Sequence, residues 1–295
     1  MLTIQNLQPL QSIDPYMGIT AALAAILGLD VGMFISWLIR KPAERAGILP
    51  PLFSHTWSMG HVWFISQAII LIMGVLGIAV ALASPFKPGG NSLMTVAILS
   101  LIPQNLLLFG LPAAYIVKVY GIPLRDIGLP MFPDVKIVRT GIRWGVLMLI
   151  VALVFQAAAE SLIKITLGAN ALGGLERATQ EFGNEQFIKQ SLHNPWNTIL
   201  LLITGGLFAP FGEEFFFRGF LFNAAKRRMG LWPGIMLSAA IFALIHGGPL
   251  LILAIFPVGI ILALAYEKTG SLWVPIFMHI TFNSMQLIAG LWIKY

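Results

Sequence analysis

Residues 209–219 read APFGEEFFFRG, so two carboxylates and a guanidinium lie within an otherwise apolar stretch. This stretch belongs to a longer apolar segment, residues 196–222, which is long enough to cross a lipid bilayer as a helix. Charged side chains are costly in hydrocarbon, so those that a membrane helix keeps usually pair with one another or serve a function. The segment therefore predicts a membrane-spanning helix with a polar centre.

The composition extends this interpretation to the whole chain of 295 residues, of which 58% are hydrophobic and 10% charged. Soluble domains carry about 25% charged residues, and a soluble fold cannot hide this much apolar surface. We predict an all-α polytopic transmembrane helix bundle of about eight helices, without a sheet, surrounded by the lipid bilayer. The predicted segments are residues 16–39, 62–83, 92–118, 141–163, 196–222, 232–247, 249–266 and 272–293.

The distribution of charge predicts the orientation of the bundle. The net charge of +6 is scattered between the apolar segments, whereas a nucleic-acid-binding protein concentrates such charge in one patch. Twelve of the 18 Lys and Arg residues lie in one set of alternating loops and five in the other. Because positive residues stay on the cytoplasmic side, both termini are predicted to be non-cytoplasmic. The chain has no cysteine, which excludes thiol nucleophiles and Cys-ligated metals.

The segments divide the chain into two predicted parts. Residues 1–195 form an N-terminal four-helix membrane region, and residues 196–295 form a C-terminal four-helix core that holds the polar residues. Between them, residues 166–195 are predicted to be an ordinary polar outer loop. Apolar residues within it, such as Leu175 and Ile188, leave a short helix on the membrane surface as the alternative.

Helical spacing sorts the charges of the fifth segment. Arg218 follows Glu214 by four residues, so the two share a helix face and can pair. Glu213 points about 100° away and is left without a local counter-charge, which is an environment for a general acid or base. In the next segment, Phe242 and His246 are one turn apart, so the Phe ring can pack against the imidazole.

The last segment adds His279 and Asn283, which are four residues apart and can point at one small target. Counting helical rise from the predicted segment ends, Glu213 and His279 both lie in the cytoplasmic half of the bilayer. His246 reaches the same depth if its segment is tilted or starts late. The sequence therefore predicts one water-accessible cavity that opens toward the cytoplasmic side.

These motifs, Glu-Glu-x-x-x-Arg, Phe-x-x-x-His and His-x-x-x-Asn on successive apolar segments, resemble the CAAX protease and bacteriocin-processing (CPBP, or Abi) family. Its members include the Ras-converting CAAX prenyl endopeptidases. The resemblance covers residues 196–293 and shows no departure at the motif positions. It implies an intramembrane endopeptidase that hydrolyses a peptide bond of a membrane-associated protein or peptide. A CAAX-type prenylated tail is one substrate class among several.

The resemblance also implies roles for the motif residues. Glu213 and His246 would hold and activate the attacking water, while His279 and Asn283 would stabilise the oxyanion. Three further residues would order the site: Glu214, Arg218 and Phe242. Zinc is a possible cofactor, with Glu213, His246 and His279 as ligands and an open fourth position. We favour a metal-free mechanism because the sequence has no His-Glu-x-x-His pair.

Other functions remain open at this stage. The polar residues could simply hold helices together, although five ionisable groups at one depth are many for that purpose. A proton-coupled transporter would also use buried Glu and His, but the sequence shows no internal repeat of the kind that many transporters have. A non-catalytic immunity or scaffold member of the same family is the third alternative.

Overall fold

A computed structural model describes residues 57–83, 91–182 and 185–292. These residues belong to a compact unit that begins at Trp57. They are overwhelmingly helical and contain no strand, which confirms the predicted all-α class. The first predicted segment, residues 16–39, lies outside the described residues.

Nine helices follow one another along the described part of the chain. They are α1 (Met59–Ala83), α2 (Asn91–Tyr120), α3 (Val135–Leu167), α4 (Ala169–Phe182), α5 (Glu185–Leu192), α6 (Pro195–Met229), α7 (Leu231–Leu244), α8 (Pro249–Thr269) and α9 (Trp273–Trp292). A short 3₁₀ turn (Leu124–Ile127) lies between α2 and α3.

Six of these helices, namely α1, α2, α3, α6, α8 and α9, are long and apolar enough to cross a membrane. The protein is therefore an integral, multi-pass membrane protein. Each corresponds to one predicted segment, and α7 corresponds to a seventh but is only 14 residues long. Helix α6 continues past the predicted end at residue 222 to Met229. Its last turn carries Lys226, Arg227 and Arg228, and cations there stabilise the helix dipole.

The predicted polar loop at residues 166–195 is wrong, because α4 and α5 occupy most of it. In α4, Leu172 and Leu175 are partly buried and Thr179 is buried, whereas Glu176 and Arg177 are exposed. Apolar and small residues at this spacing form one helix face. This pattern is hard to recognise in the sequence, because most residues of the segment are polar and the helix buries only a narrow stripe of side chains.

Helix α9 lies close against α3 because α3 presents glycines to it. A Cβ atom added to Gly145 would lie 2.7 Å from the Met278 oxygen and 2.7 Å from the Thr281 Cβ, and one added to Gly141 would clash with the Phe277 Cβ. Small residues four apart let two membrane helices approach closely. This contact fixes the helix that carries His279.

The inner packing joins helices from both predicted parts of the chain. Besides the α3–α9 contact, α2 packs against the middle of α6, and α4 packs against α8. The boundary between residues 1–195 and 196–295 stays a prediction.

Candidate active site

Helix α6 is not a regular α-helix around its two glutamates. Residues Leu202–Phe208 and Phe215–Phe222 are π-helical, and the α-helical turn Ala209–Glu214 lies between them. π-helical turns are rare and occur frequently at functional sites. The wider turns change the rotation per residue, so side chains in α6 do not follow a simple α-helical wheel.

A glycine next to the acidic pair brings α2 against α6. A Cβ atom on Gly212 would lie 2.6 Å from the backbone oxygen of Asn105 and 2.8 Å from its side-chain Oδ1. The Asn105 side chain is buried and donates from Nδ2 to the Leu101 carbonyl, 2.9 Å away in its own helix. Any side chain at position 212 would therefore displace the turn that carries Glu213.

The predicted pair between Glu214 and Arg218 is confirmed. Arg218 Nη1 donates to Glu214 Oε1 at 2.7 Å, and both side chains are fully buried. The second arm of the guanidinium, Nη2, donates to the Gly259 carbonyl of α8 at 3.2 Å. Its Cζ also lies 4.4 Å from the ring centroid of Phe242. One arginine thus connects α6, α7 and α8.

His279 lies between the two glutamates. Its Nδ1 is 2.8 Å from Glu214 Oε1, and its Nε2 is 3.9 Å from Glu213 Oε2. Since a carboxylate can only accept, the Nδ1–H group is the donor in the shorter contact. The bond to Glu214 therefore orients the ring and turns Nε2 toward Glu213. Spacing alone does not indicate this contact, because it joins α6 to α9.

His246 caps the end of α7. Its backbone N–H donates to the Ala243 carbonyl, which leaves the Phe242 carbonyl without its usual helical donor. The His246 Nδ1–H group donates to that carbonyl at 2.6 Å. The neutral imidazole therefore has its free lone pair on Nε2, the nitrogen that is available as a base.

The Phe242 ring links the two imidazoles. Its centroid lies 4.7 Å from that of His246 and 5.6 Å from that of His279, in both cases edge to face. The predicted packing of Phe242 against His246 is confirmed. The ring is 1% exposed, and its packing against both imidazoles restricts how they can rotate.

Asn283 reaches the first π-helical turn instead of the acidic pair. Its Nδ2 donates to the Gly205 carbonyl at 3.1 Å. An amide nitrogen carries two hydrogens, so one donor remains for another partner. The oxyanion role of Asn283 stays a prediction.

Two carboxylate oxygens in the site, Glu213 Oε2 and Glu214 Oε2, are buried and have no protein donor. Buried acceptors normally have a hydrogen-bond partner. The Glu213 side chain is 13% exposed, against 0% for Glu214. Glu213 is therefore the less buried of the two carboxylates.

The residues considered as zinc ligands, Glu213, His246 and His279, do not form a ligand set in this arrangement. Within the described ranges, no three His, Asp or Glu side chains come together in a way that could hold a metal ion. The Nδ1–H group of His279 bonds to Glu214, which leaves its Nε2 unengaged. The mechanism without a metal stays a prediction.

Two relatives match parts of the chain. A protein of Bacillus subtilis (strain 168) with the name "Putative membrane peptidase YdiL" is 29% identical over 92 residues, which are 31% of this chain and 38% of the relative. An "Uncharacterized 24.3 kDa protein" of Escherichia coli is 30% identical over 132 residues, 43% of this chain and 59% of the relative. Each match therefore spans less than two thirds of the relative. No solved structure matches the chain.

A family comparison covers the helices that carry the site. The match covers residues 195–285, which run from the start of α6 to the Asn283 turn of α9. The matching family is described as type II CAAX prenyl endopeptidase Rce1-like. This range includes all three motifs and confirms the resemblance drawn from them. The part of the chain that holds Glu213, His246 and His279 is thus similar to the Rce1-like type II CAAX prenyl endopeptidases.

Proposed function

We propose that the protein is an intramembrane endopeptidase that hydrolyses a peptide bond with a water molecule activated by Glu213 and His246. The observation that carries the proposal is the arrangement of the two imidazoles. Each has its Nδ1–H group bound to a fixed acceptor, which leaves Nε2 for chemistry. The carboxylate of Glu213, the less buried of the two glutamates, faces one of these nitrogens with its Oε2 at 3.9 Å. The family match and the name of the Bacillus subtilis relative support the same activity.

The reaction needs a base, a water molecule and donors aimed at developing negative charge. Glu213, assisted by His246, takes a proton from water, and the hydroxide oxygen forms a bond to the peptide carbonyl carbon. The carbonyl electrons move to its oxygen, where the charge is stabilised by the second amide hydrogen of Asn283 and by the Nε2–H group of His279 in its doubly protonated form, in which both ring nitrogens donate. The carbon–nitrogen bond then breaks, and the proton passes to the leaving nitrogen. Glu214 and Arg218 keep His279 in place.

The substrate is a protein or peptide that reaches the site from within or beside the membrane. The buried site lies among helices that face lipid, so a membrane-associated C-terminal tail fits its location. A prenylated CAAX tail is one such substrate, if the host prenylates its proteins. We propose entry from the cytoplasmic side, on the basis of the Lys and Arg distribution.

The proposal is tested with Glu213→Gln, which removes the base but keeps the size of the side chain. We expect cleavage to be abolished while the variant still folds and purifies normally. The measurement is comparative proteomics of membrane-protein C-termini in cells that express the wild type or the variant. Glu160→Gln is the matched control, because Glu160 lies on α3 and accepts a hydrogen bond from Gln156 of the same helix. Retained cleavage in Glu213→Gln would end the proposal.

The metal-free form of the mechanism has its own test. A chelator that removes zinc should leave cleavage unchanged, because Glu213, His246 and His279 do not form a ligand set. The measurement is turnover of the identified substrate before and after dialysis against the chelator. If the chelator abolishes turnover and added zinc restores it, the three side chains come together around a metal.

A further inference from the structure

Helix α4 contacts the turn that follows His246, and it comes from a part of the chain that lies before the family match. Thr179 lies on its packed face and is only 7% exposed. Helix α4 contacts α8 and follows α3 directly in sequence. A buried hydroxyl on an otherwise apolar face needs a partner, and this one finds it in another helix.

The partner is the N-terminus of α8. The Leu250 backbone N–H donates to Thr179 Oγ1 at 3.0 Å. The first N–H groups of a helix have no partner within the helix, and a hydroxyl or carboxylate side chain at the N-cap usually accepts from one of them. Here the N-cap residue is Gly248, which has no side chain to do so. Thr179 supplies the missing cap from α4.

The same contact fixes the turn that follows His246. Helix α7 ends at Leu244, and Gly247 and Gly248 both have positive φ angles, of 67° and 71°. Two glycines in succession leave the chain more backbone freedom than other residues do, so the turn needs an outside constraint. A Cβ atom on Gly248 would lie 3.1 Å from the Thr179 Cα, which shows how closely α4 covers the turn.

We propose that Thr179 is a positioning residue for His246, and that α4 clamps the His246–Gly248 turn onto the N-terminus of α8. The inference rests on the proposed function, since it assigns His246 to the activation of water. The hydroxyl holds Leu250, Leu250 anchors the glycine turn, and the turn sets the place of the imidazole relative to Glu213. Loss of the hydroxyl leaves the Leu250 N–H without a partner and frees the turn.

The first test measures position without reference to activity. Thr179→Val keeps the shape of the side chain and removes the acceptor, whereas Thr179→Ser keeps the acceptor. In nanodiscs, Thr179→Val should raise hydrogen exchange at the Leu250 amide about tenfold, as expected for the loss of one capping bond. The His246 imidazole resonance, one of five histidine signals, should shift in the same variant. Thr179→Ser should match the wild type in both measurements.

The control is Thr166→Val, because the Thr166 hydroxyl is exposed and bonds to the Leu162 carbonyl of its own helix. It should change neither the Leu250 exchange nor the His246 signal. If Thr179→Val does not fold, Thr179→Cys replaces it, because a thiol is a weak acceptor and should give a smaller change in the same direction. Wild-type exchange and an unchanged His246 signal in the folded variant would overturn the clamp.

The second test measures turnover of the substrate identified by the C-terminal comparison. Thr179→Val should lower kcat about tenfold, or about 1.4 kcal/mol, with KM nearly unchanged, and Thr179→Ser should restore it. Normal kcat in a variant with a released turn would overturn the positioning role. If the wild type cleaves nothing, the proposed function fails, while the exchange and resonance measurements still decide whether Thr179 holds the turn.

Discussion

Arg218 makes several contacts at once that no other side chain could replace. Its planar guanidinium reaches Glu214 with one nitrogen and the Gly259 carbonyl with another, and lies over the Phe242 ring. A lysine ammonium is a compact point charge without this fork. Because Arg218 is fully buried, each lost contact leaves a polar group without water to replace it.

Arg218→Leu should therefore destabilise the protein more than Arg218→Lys. Leucine leaves the Glu214 carboxylate as a buried charge with its main partner gone, which typically costs about 3–5 kcal/mol. Lysine can keep the ion pair but loses the bond to Gly259, at a cost of about 1.5–3 kcal/mol. Thermal unfolding in detergent measures both. Equal melting temperatures for the two variants would contradict the bridging role of the guanidinium.

Only part of the site could be predicted at this scale. The Glu214–Arg218 pair and the Phe242–His246 contact each lie within one helix, where residues four apart are neighbours. The bond between His279 and Glu214 joins two helices, and spacing carries no information on it. Both glutamates also face His279, although an ideal α-helix would point them about 100° apart.

At the scale of helices, the glycines of α3 determine where α9 can lie. The approach at Gly145 leaves no room for a side chain, because Met278 and Thr281 of α9 come within 2.7 Å of the position a Cβ would take. Both residues neighbour His279 in sequence. A change in α3, outside the family match, should therefore reach the proposed catalytic centre through helix packing.

Gly145→Leu should push α9 away from α3 and displace His279 from Glu214. We expect at least a hundredfold loss of turnover, since a shift of about 1 Å at a reacting group can cost that much. Gly110→Ala in α2 is the control, because a Cβ there would meet nothing within 4 Å. The two variants are compared by turnover and by cross-linking yield between cysteines placed in α6 and α9. An unshifted cross-link in Gly145→Leu would rule out displacement of α9.

The elements themselves were predictable to different degrees. Long apolar runs gave six spanning helices with boundaries within several residues, because hydrophobic length alone determines them. The preferred prediction of a polar loop is wrong at α4, because only a narrow stripe of this helix, including Leu175 and Thr179, is covered. That stripe covers α8, and a contact of this kind becomes evident only once the helices are placed together.

For the molecule as a whole, orientation in the membrane depends on charge. The Lys and Arg count predicts that the α6–α7 connection faces the cytoplasm and that α4 lies on the opposite side. The last turn of α6 carries three basic residues, Lys226, Arg227 and Arg228.

Because the chain has no cysteine, single substitutions can report orientation directly. Arg228→Cys and Glu176→Cys introduce thiols at exposed positions. A membrane-impermeant maleimide added to intact cells should label Glu176→Cys and leave Arg228→Cys unlabelled until the cells are opened. The reverse pattern would invert the orientation and place the entry route on the other face.

The two π-helical turns of α6 have a consequence for how relatives of this chain should be aligned. A π-helical turn holds more residues over a given rise than an α-helical turn does, so each turn accommodates surplus sequence without lengthening the helix. A relative with a regular α-helix in one of these places should show a one-residue gap within residues 202–208 or 215–222. An insertion or deletion elsewhere in the helix would instead rotate the acidic pair away from its histidine.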